Sequence, residues 1–90
     1  MANYIVAYDL HTPGQDYKSL REAFEAYGYY YKPLRSTWLI KTTQSSEQIR
    51  NNLMRVLDSN DKLIVLKLSG EAAWTNGFDN DWLQGFLNSP

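Results

Sequence analysis

The chain has 90 residues, of which 43% are hydrophobic and 21% charged, a balance typical of one small globular domain. It has no cysteine and one histidine, which excludes a disulfide framework, a thiolate zinc site and a histidine metal cluster within one chain. A net charge of −1 argues against nonspecific nucleic-acid binding over the whole surface, but it does not exclude a local basic patch. No membrane-length apolar run and no leader-like segment is present, so we expect a cytoplasmic protein with no membrane partner.

The first part of the chain predicts a strand followed by a helix. Residues 3–10 are rich in Tyr, Ile and Val, which is typical of a central strand. Residues 15–27 predict an amphipathic helix, with Gly28 at its C-cap. Its apolar side holds Leu20, Ala23, Phe24 and Tyr27, and its solvated side holds Lys18, Arg21, Glu22 and Glu25.

The middle of the chain predicts a hairpin, a second helix and a last strand. Residues 29–31 and 36–42 indicate two strands joined around residues 32–35. Ser45 and Gln48 form a capping-box pattern, and residues 62–68 indicate a strand. The second helix is predicted to bury Ile49, Leu53, Val56 and Leu57.

The order strand, helix, strand, strand, helix, strand predicts an α+β fold, the ferredoxin-like βαββαβ sandwich, with both helices on one face of an antiparallel sheet. We expect residues 1–90 to form one domain, with a core over about residues 3–68 and a short C-terminal extension over 69–90. In that extension, Asp79 or Asn80 is expected to cap a short helix over 81–87. The extension either covers the open face of the sheet or crosses to a second subunit.

Asp9 is the first candidate for chemistry, because it follows an apolar strand and a carboxylate there needs solvent, a partner or a metal. The competing interpretation is that it accepts hydrogen bonds from amides of residues 12–15. His11 would point to the same side of an extended segment as Asp9 and could act as a general acid or base, or could simply be exposed. Asp16 is expected to interact favourably with the helix dipole in the first turn of the helix. The alternative is that Asp16 is a second metal ligand.

Basic and aromatic residues cluster in the predicted hairpin. Lys32, Arg35 and Lys41 lie close in sequence to three consecutive tyrosines, and this interleaving suits a nucleic-acid backbone and stacked bases. The alternative is that the tyrosines pack internally while the charges are solvated. Trp74 and Trp82 lie outside the core pattern and either cover the sheet or form a dimer interface.

The chain resembles SinR-like proteins, the second CRISPR-associated protein of spacer acquisition and the virulence-associated protein D toxins. The resemblance rests on the opening Tyr-Ile-Val-Ala-Tyr-Asp-Leu, the helix end Ala26-Tyr27-Gly28, residues 36–40 and 61–68, and Ala72-Ala73-Trp74. It implies a ferredoxin-like homodimer in which Asp9 from both copies shares a divalent metal such as Mg²⁺. It also implies roles for Ser36 and for Arg35 before it, as residues that contact nucleic acid.

Two functions follow as hypotheses. The first is a nuclease-related homodimer, a metal-dependent endoribonuclease of a CRISPR- or toxin-like defence system. In it, Asp9 and His11 would be catalytic. The residues expected to bind RNA or DNA are Lys32, Arg35, Ser36 and Lys41. The second is a noncatalytic homodimeric interaction module of the same fold that binds protein or nucleic acid. The net charge of −1 and the single conspicuous acid favour the second, whereas the position of Asp9 and the resemblance favour the first.

Overall fold

The computed structural model describes residues 1–11 and 17–88. These residues form four strands and three helices in an α+β arrangement. In chain order the elements are β1 (Ala2–Asp9), α1 (Tyr17–Glu25), β2 (Tyr30–Leu34), β3 (Thr37–Thr42), α2 (Ser46–Met54), β4 (Lys62–Lys67) and α3 (Asn80–Asn88).

The four strands form one antiparallel sheet in the order β2-β3-β1-β4. β1 lies in the interior of the sheet, where Ala7 pairs with Thr37 of β3 on one side and with Ile64 of β4 on the other. The predicted turn over residues 32–35 was wrong, because β2 continues to Leu34 and the chain turns at residues 35–36. Pro33 is tolerated in β2 because this strand lies at the edge of the sheet.

One face of the sheet packs against α1 and α2 and forms the main core. Alternate residues of β1 face it, since Tyr4, Val6 and Tyr8 are buried, and Phe24 of α1 stacks on Trp38 of β3 with ring centroids 4.6 Å apart. The remaining buried members of this core are Leu20, Ile40, Ile49 and Leu53. The predicted burial is therefore confirmed for Leu20, Phe24, Ile49 and Leu53, whereas the other predicted apolar residues are half-buried: Ala23, Tyr27, Val56 and Leu57.

Local capping signals fix where the helices begin and end. The Ser45 hydroxyl accepts a hydrogen bond from the Gln48 amide at 3.1 Å, and the Gln48 side chain accepts one from the Ser45 amide at 2.8 Å, which confirms the capping box. Gly28 after α1 has a φ of +82°, a conformation that glycine adopts without a Cβ clash. Asp79 caps α3, because its carboxylate accepts from the Trp82 amide at 3.0 Å.

The C-terminal extension packs on the opposite face of the sheet. Leu83 and Phe86 of α3 are buried against Leu39 of β3, with Ile5 of β1 alongside. This helix covers only part of that face, because Ile64 and Leu66 of β4 keep 54% and 51% of their surface exposed. In the part of the chain that the structure describes, no helix is long and apolar enough to cross a membrane.

Candidate functional site

Asp9 ends β1 on the sheet face that carries α3. The buried Tyr4, Val6 and Tyr8 point to the other face, so strand alternation directs Asp9 away from α1 and α2. Its partner in β4 is Lys62, and both residues are exposed and line a shallow pocket with Ala7 and Ile64. Within residues 1–11 and 17–88, no group donates a hydrogen bond to the Asp9 carboxylate or forms an ion pair with it.

Asp61 is a second acid at this end of the sheet, and the sequence analysis did not single it out. One of its carboxylate oxygens accepts from the His11 amide at 2.7 Å, and the other accepts from the Asp58 amide at 2.8 Å. Asp61 thus ties the segment after β1 to the turn before β4. The signal available in the sequence was its place in the polar turn Asp58-Ser59-Asn60-Asp61, where an Asp commonly binds nearby amides.

His11 is exposed two residues after Asp9, and only its main chain is anchored by Asp61. Asp16 and the amides of residues 12–15, the predicted alternatives around Asp9, lie outside the described residues. Among the residues that the structure does describe, no group of three or more His, Asp or Glu side chains is placed to hold a metal ion. Asp9 and His11 are thus both exposed at this end of the sheet.

The β2–β3 turn brings Arg35 and Ser36 to the same end of the sheet. The Ser36 carbonyl accepts a hydrogen bond from the Tyr8 amide at 3.1 Å, so the turn is attached to the residue before Asp9. Arg35 and Ser36 are both exposed. Lys32 is exposed on β2, with its ammonium 5.8 Å from the centroid of the Trp38 ring.

Lys41 is not brought together with these residues. Its side chain retains only 3% exposure, at the opposite end of β3, where residue 41 pairs with Asn3. The ammonium donates to the Phe86 carbonyl at 3.0 Å and lies 5.4 Å from the Tyr29 ring centroid. The predicted contact of Lys41 with nucleic acid is therefore corrected: this lysine holds α3 against the sheet, and α3 shields it from a ligand.

Two alternatives were predicted for Trp74 and Trp82, covering the sheet or forming a dimer interface. In the structure both side chains pack on the sheet of their own chain. Trp82 lies over β2, with its ring centroid 5.0 Å from that of Tyr31 and 4.9 Å from that of Phe86. The Trp74 indole donates to the Asn80 side chain at 2.7 Å, and this residue is half-buried. Both side chains therefore cover the sheet in the single chain, and a dimer contact through them stays a prediction.

Comparison with known proteins gives a fold and no function. No protein-family model and no curated protein matches the chain. A solved structure, a hypothetical protein TT1823 from Thermus thermophilus, is similar with a TM-score of 0.66 and 22% sequence identity. The alignment covers 84% of this chain and 92% of that one. At this identity the similarity concerns the fold alone.

Proposed function

We propose that the protein is a ferredoxin-like homodimer and a metal-dependent endoribonuclease, with Asp9 as the residue that holds the metal. The antiparallel sheet with α1 and α2 on one face supports the assignment of the fold. The single observation that carries the function is the exposed Asp9 carboxylate, which ends a central strand without a hydrogen-bond donor among the described residues.

A second copy of the chain is part of this proposal because one chain contributes too few metal ligands. Mg²⁺ keeps several waters and is often held by one or two carboxylates, so two Asp9 side chains across a two-fold axis suit it. The bound metal would polarise a phosphate oxygen and lower the pKa of a bound water.

An uncovered apolar surface beside Asp9 supports a homodimer. We call it the open half-face: Leu34, Thr37, Ala7 and Ile64, which form one row across the four strands, together with Leu66. Leu34, Ile64 and Leu66 are each more than half exposed. Asp9 and Lys62 form the next row, so a second copy on this surface would meet both an acid and a base.

The remaining residues have separate roles in the proposed reaction. Arg35 would hold a phosphate oxygen beside Asp9, and the Ser36 hydroxyl would donate a hydrogen bond to one. Lys32 lies beside Trp38 on the face that carries α1 and α2, so it would hold a different phosphate. His11 would serve as the general acid or base of the reaction.

A cleavage assay tests this function with labelled RNA, single-stranded DNA and duplex DNA, in Mg²⁺, Mn²⁺ or chelator. We expect RNA cleavage that needs the metal and falls by about a hundredfold or more in Asp9→Asn, because a catalytic metal contributes several kcal/mol. Asp81→Asn is the matched control, since it removes the same charge from an exposed site on α3. Equal cleavage by wild type and Asp9→Asn would refute the enzyme.

The second candidate is a noncatalytic homodimeric interaction module. It is favoured by the finding that the described residues of one chain bring no three metal-binding side chains together. In that case, the wild type, Asp9→Asn and Asp81→Asn would all leave every substrate intact, whereas the wild type would still dimerise.

A further inference from the structure

A small cleft on the face that carries α1 and α2 combines positive charge with aromatic rings. It lies between α1 and β2, with a volume of about 80 Å³. Arg21 of α1 and Lys32 of β2 line its sides, and Tyr8 and Trp38 line it as aromatic residues, together with Leu20. The sequence analysis placed Arg21 only on the solvated side of its helix, so the structure adds a second cation to Lys32.

Among the residues that the structure describes, neither cation is neutralised by a neighbour. Of the described residues, none forms an ion pair or a hydrogen bond with the side chains of Arg21 and Lys32. Glu22, the nearest acid in sequence, lies 4.0 Å from Lys18 instead. Two uncompensated cations facing one cleft favour an anion there, and guanidinium and ammonium groups together suit a phosphate.

The size of the cleft limits what can enter it. A water molecule takes up about 30 Å³ in the liquid, so about 80 Å³ holds two or three waters or one phosphate group. A sugar and base must then lie outside the cleft. The adjacent exposed ring is Tyr30, whose centroid lies 5.9 Å from that of Trp38.

Tyr30 and Lys32 share one face of the edge strand β2, because both side chains lie beside the Trp38 ring. The register shift between Tyr31 and Leu34 places Leu34 on the other face. The rise of about 3.3 Å per residue separates them by roughly 7 Å along the strand, a spacing that suits the phosphate and the base of one nucleotide. Both side chains are exposed next to Trp38.

We propose that this cleft binds one nucleotide of a single-stranded RNA, with the phosphate between Arg21 and Lys32 and the base stacked on Tyr30. The inference rests on the proposed function for the nature of the ligand, but Asp9 and the metal take no part in it. Aromatic stacking of this kind tolerates any base, so we expect binding with little sequence preference.

The test measures binding of a short fluorescein-labelled oligo(rA) by anisotropy in chelator. Arg21→Gln and Lys32→Gln should each weaken binding about tenfold, because each removes a charge-assisted contact with phosphate. Arg50→Gln removes the same charge from α2 and should change binding by less than about twofold. Equal losses of oligo(rA) affinity in Arg21→Gln and Arg50→Gln would overturn the proposed phosphate site in this cleft.

Amide NMR spectra of the wild-type protein provide a readout that needs no variant. Ribose 5-phosphate and AMP should both shift the amides of Arg21 and Lys32, whereas only AMP should shift that of Tyr30. Tyr30→Leu should weaken oligo(rA) binding about tenfold and leave ribose 5-phosphate binding unchanged. Equal affinity for AMP and for oligo(rA) would overturn the single-stranded ligand in favour of a free nucleotide.

The two proposals can fail separately. Binding that depends on Arg21, without cleavage of any substrate, refutes the nuclease and supports this cleft. Cleavage that depends on Asp9, with unchanged binding in Arg21→Gln, refutes the cleft and supports the nuclease.

Discussion

At the scale of single residues, the position of α3 determines whether the charged side chains of Asp9 and Lys41 are exposed or buried. Strand alternation places both on the face that carries α3. Lys41 lies under α3, where it is buried and bonded to the Phe86 carbonyl, whereas Asp9 lies beyond α3 and is exposed. The sequence allowed a prediction of the face, but not of which end α3 covers, because that depends on packing between distant segments.

Tyr27 provides a residue-scale prediction. Its hydroxyl donates to Gln44 at 2.9 Å and accepts from Asn52 at 3.0 Å, which links the end of α1 to α2. Tyr27→Phe should therefore lower the free energy of unfolding by about 1–2 kcal/mol at neutral pH, as for two ordinary hydrogen bonds. Urea unfolding measures this difference.

The difference in unfolding free energy between the wild type and Tyr27→Phe should depend on pH. Burial raises the pKa of Tyr27 above 10.0, against a smaller opposing effect of the Asn52 hydrogen bond. A raised pKa means that the folded state holds the proton more tightly, so this stabilisation is complete below 10.0 and declines as the pH rises through the folded value. The difference in unfolding free energy between wild type and Tyr27→Phe should then shrink as the pH rises above 10.0. Tyr30→Phe, an exposed control, should show no such gap, and a pH-independent gap for Tyr27 would contradict the argument.

At the scale of elements, the segments with strong local signals were predictable. β1, α2 and the cap of α3 follow from alternation, helical spacing and capping residues, all of which lie within a few positions of one another. The position of the turn in the hairpin was not predictable, because Pro33 usually indicates a turn and its tolerance in an edge strand depends on the order of the strands. Asp61 was missed for a similar reason, since its bond to the His11 amide spans 50 positions.

The capping box of α2 gives an element-scale prediction. Ser45→Ala removes the hydroxyl that accepts from the Gln48 amide, and loss of such a cap costs about 1 kcal/mol of unfolding free energy. Ser46→Ala is the matched control, because Ser46 is the first residue of the helix and is exposed. Urea unfolding of both variants should show a loss for Ser45→Ala alone. Equal effects would mean that the box contributes nothing.

At the scale of the whole molecule, the two faces of the sheet differ in how completely they are covered. α1 and α2 bury one face, whereas α3 leaves the open half-face exposed beside Asp9. The sequence predicted that the C-terminal extension would either cover the sheet or reach a second subunit. The structure shows coverage by Trp82 and Phe86 within one chain, and the exposed open half-face is the surface that we propose for the dimer contact.

A homodimer through this surface is the whole-molecule prediction. Light scattering should give twice the 10.5 kDa mass of one chain. Ile64→Lys should reduce the mass to that of one chain, because it places a charge within a surface that must exclude water. Met54→Lys is the matched control, since Met54 is 57% exposed on α2 and Ile64 is 54% exposed on β4.

The outcome of this experiment also bears on the metal. If Ile64→Lys is a folded monomer, it should lose the metal-dependent cleavage together with the partner's Asp9, although its own Asp9 is intact. If the wild type is a monomer at high concentration, Asp9 has no second copy, and a shared metal is refuted. If both lysine variants remain dimers, the dimer forms through another surface, and the open half-face is not the interface.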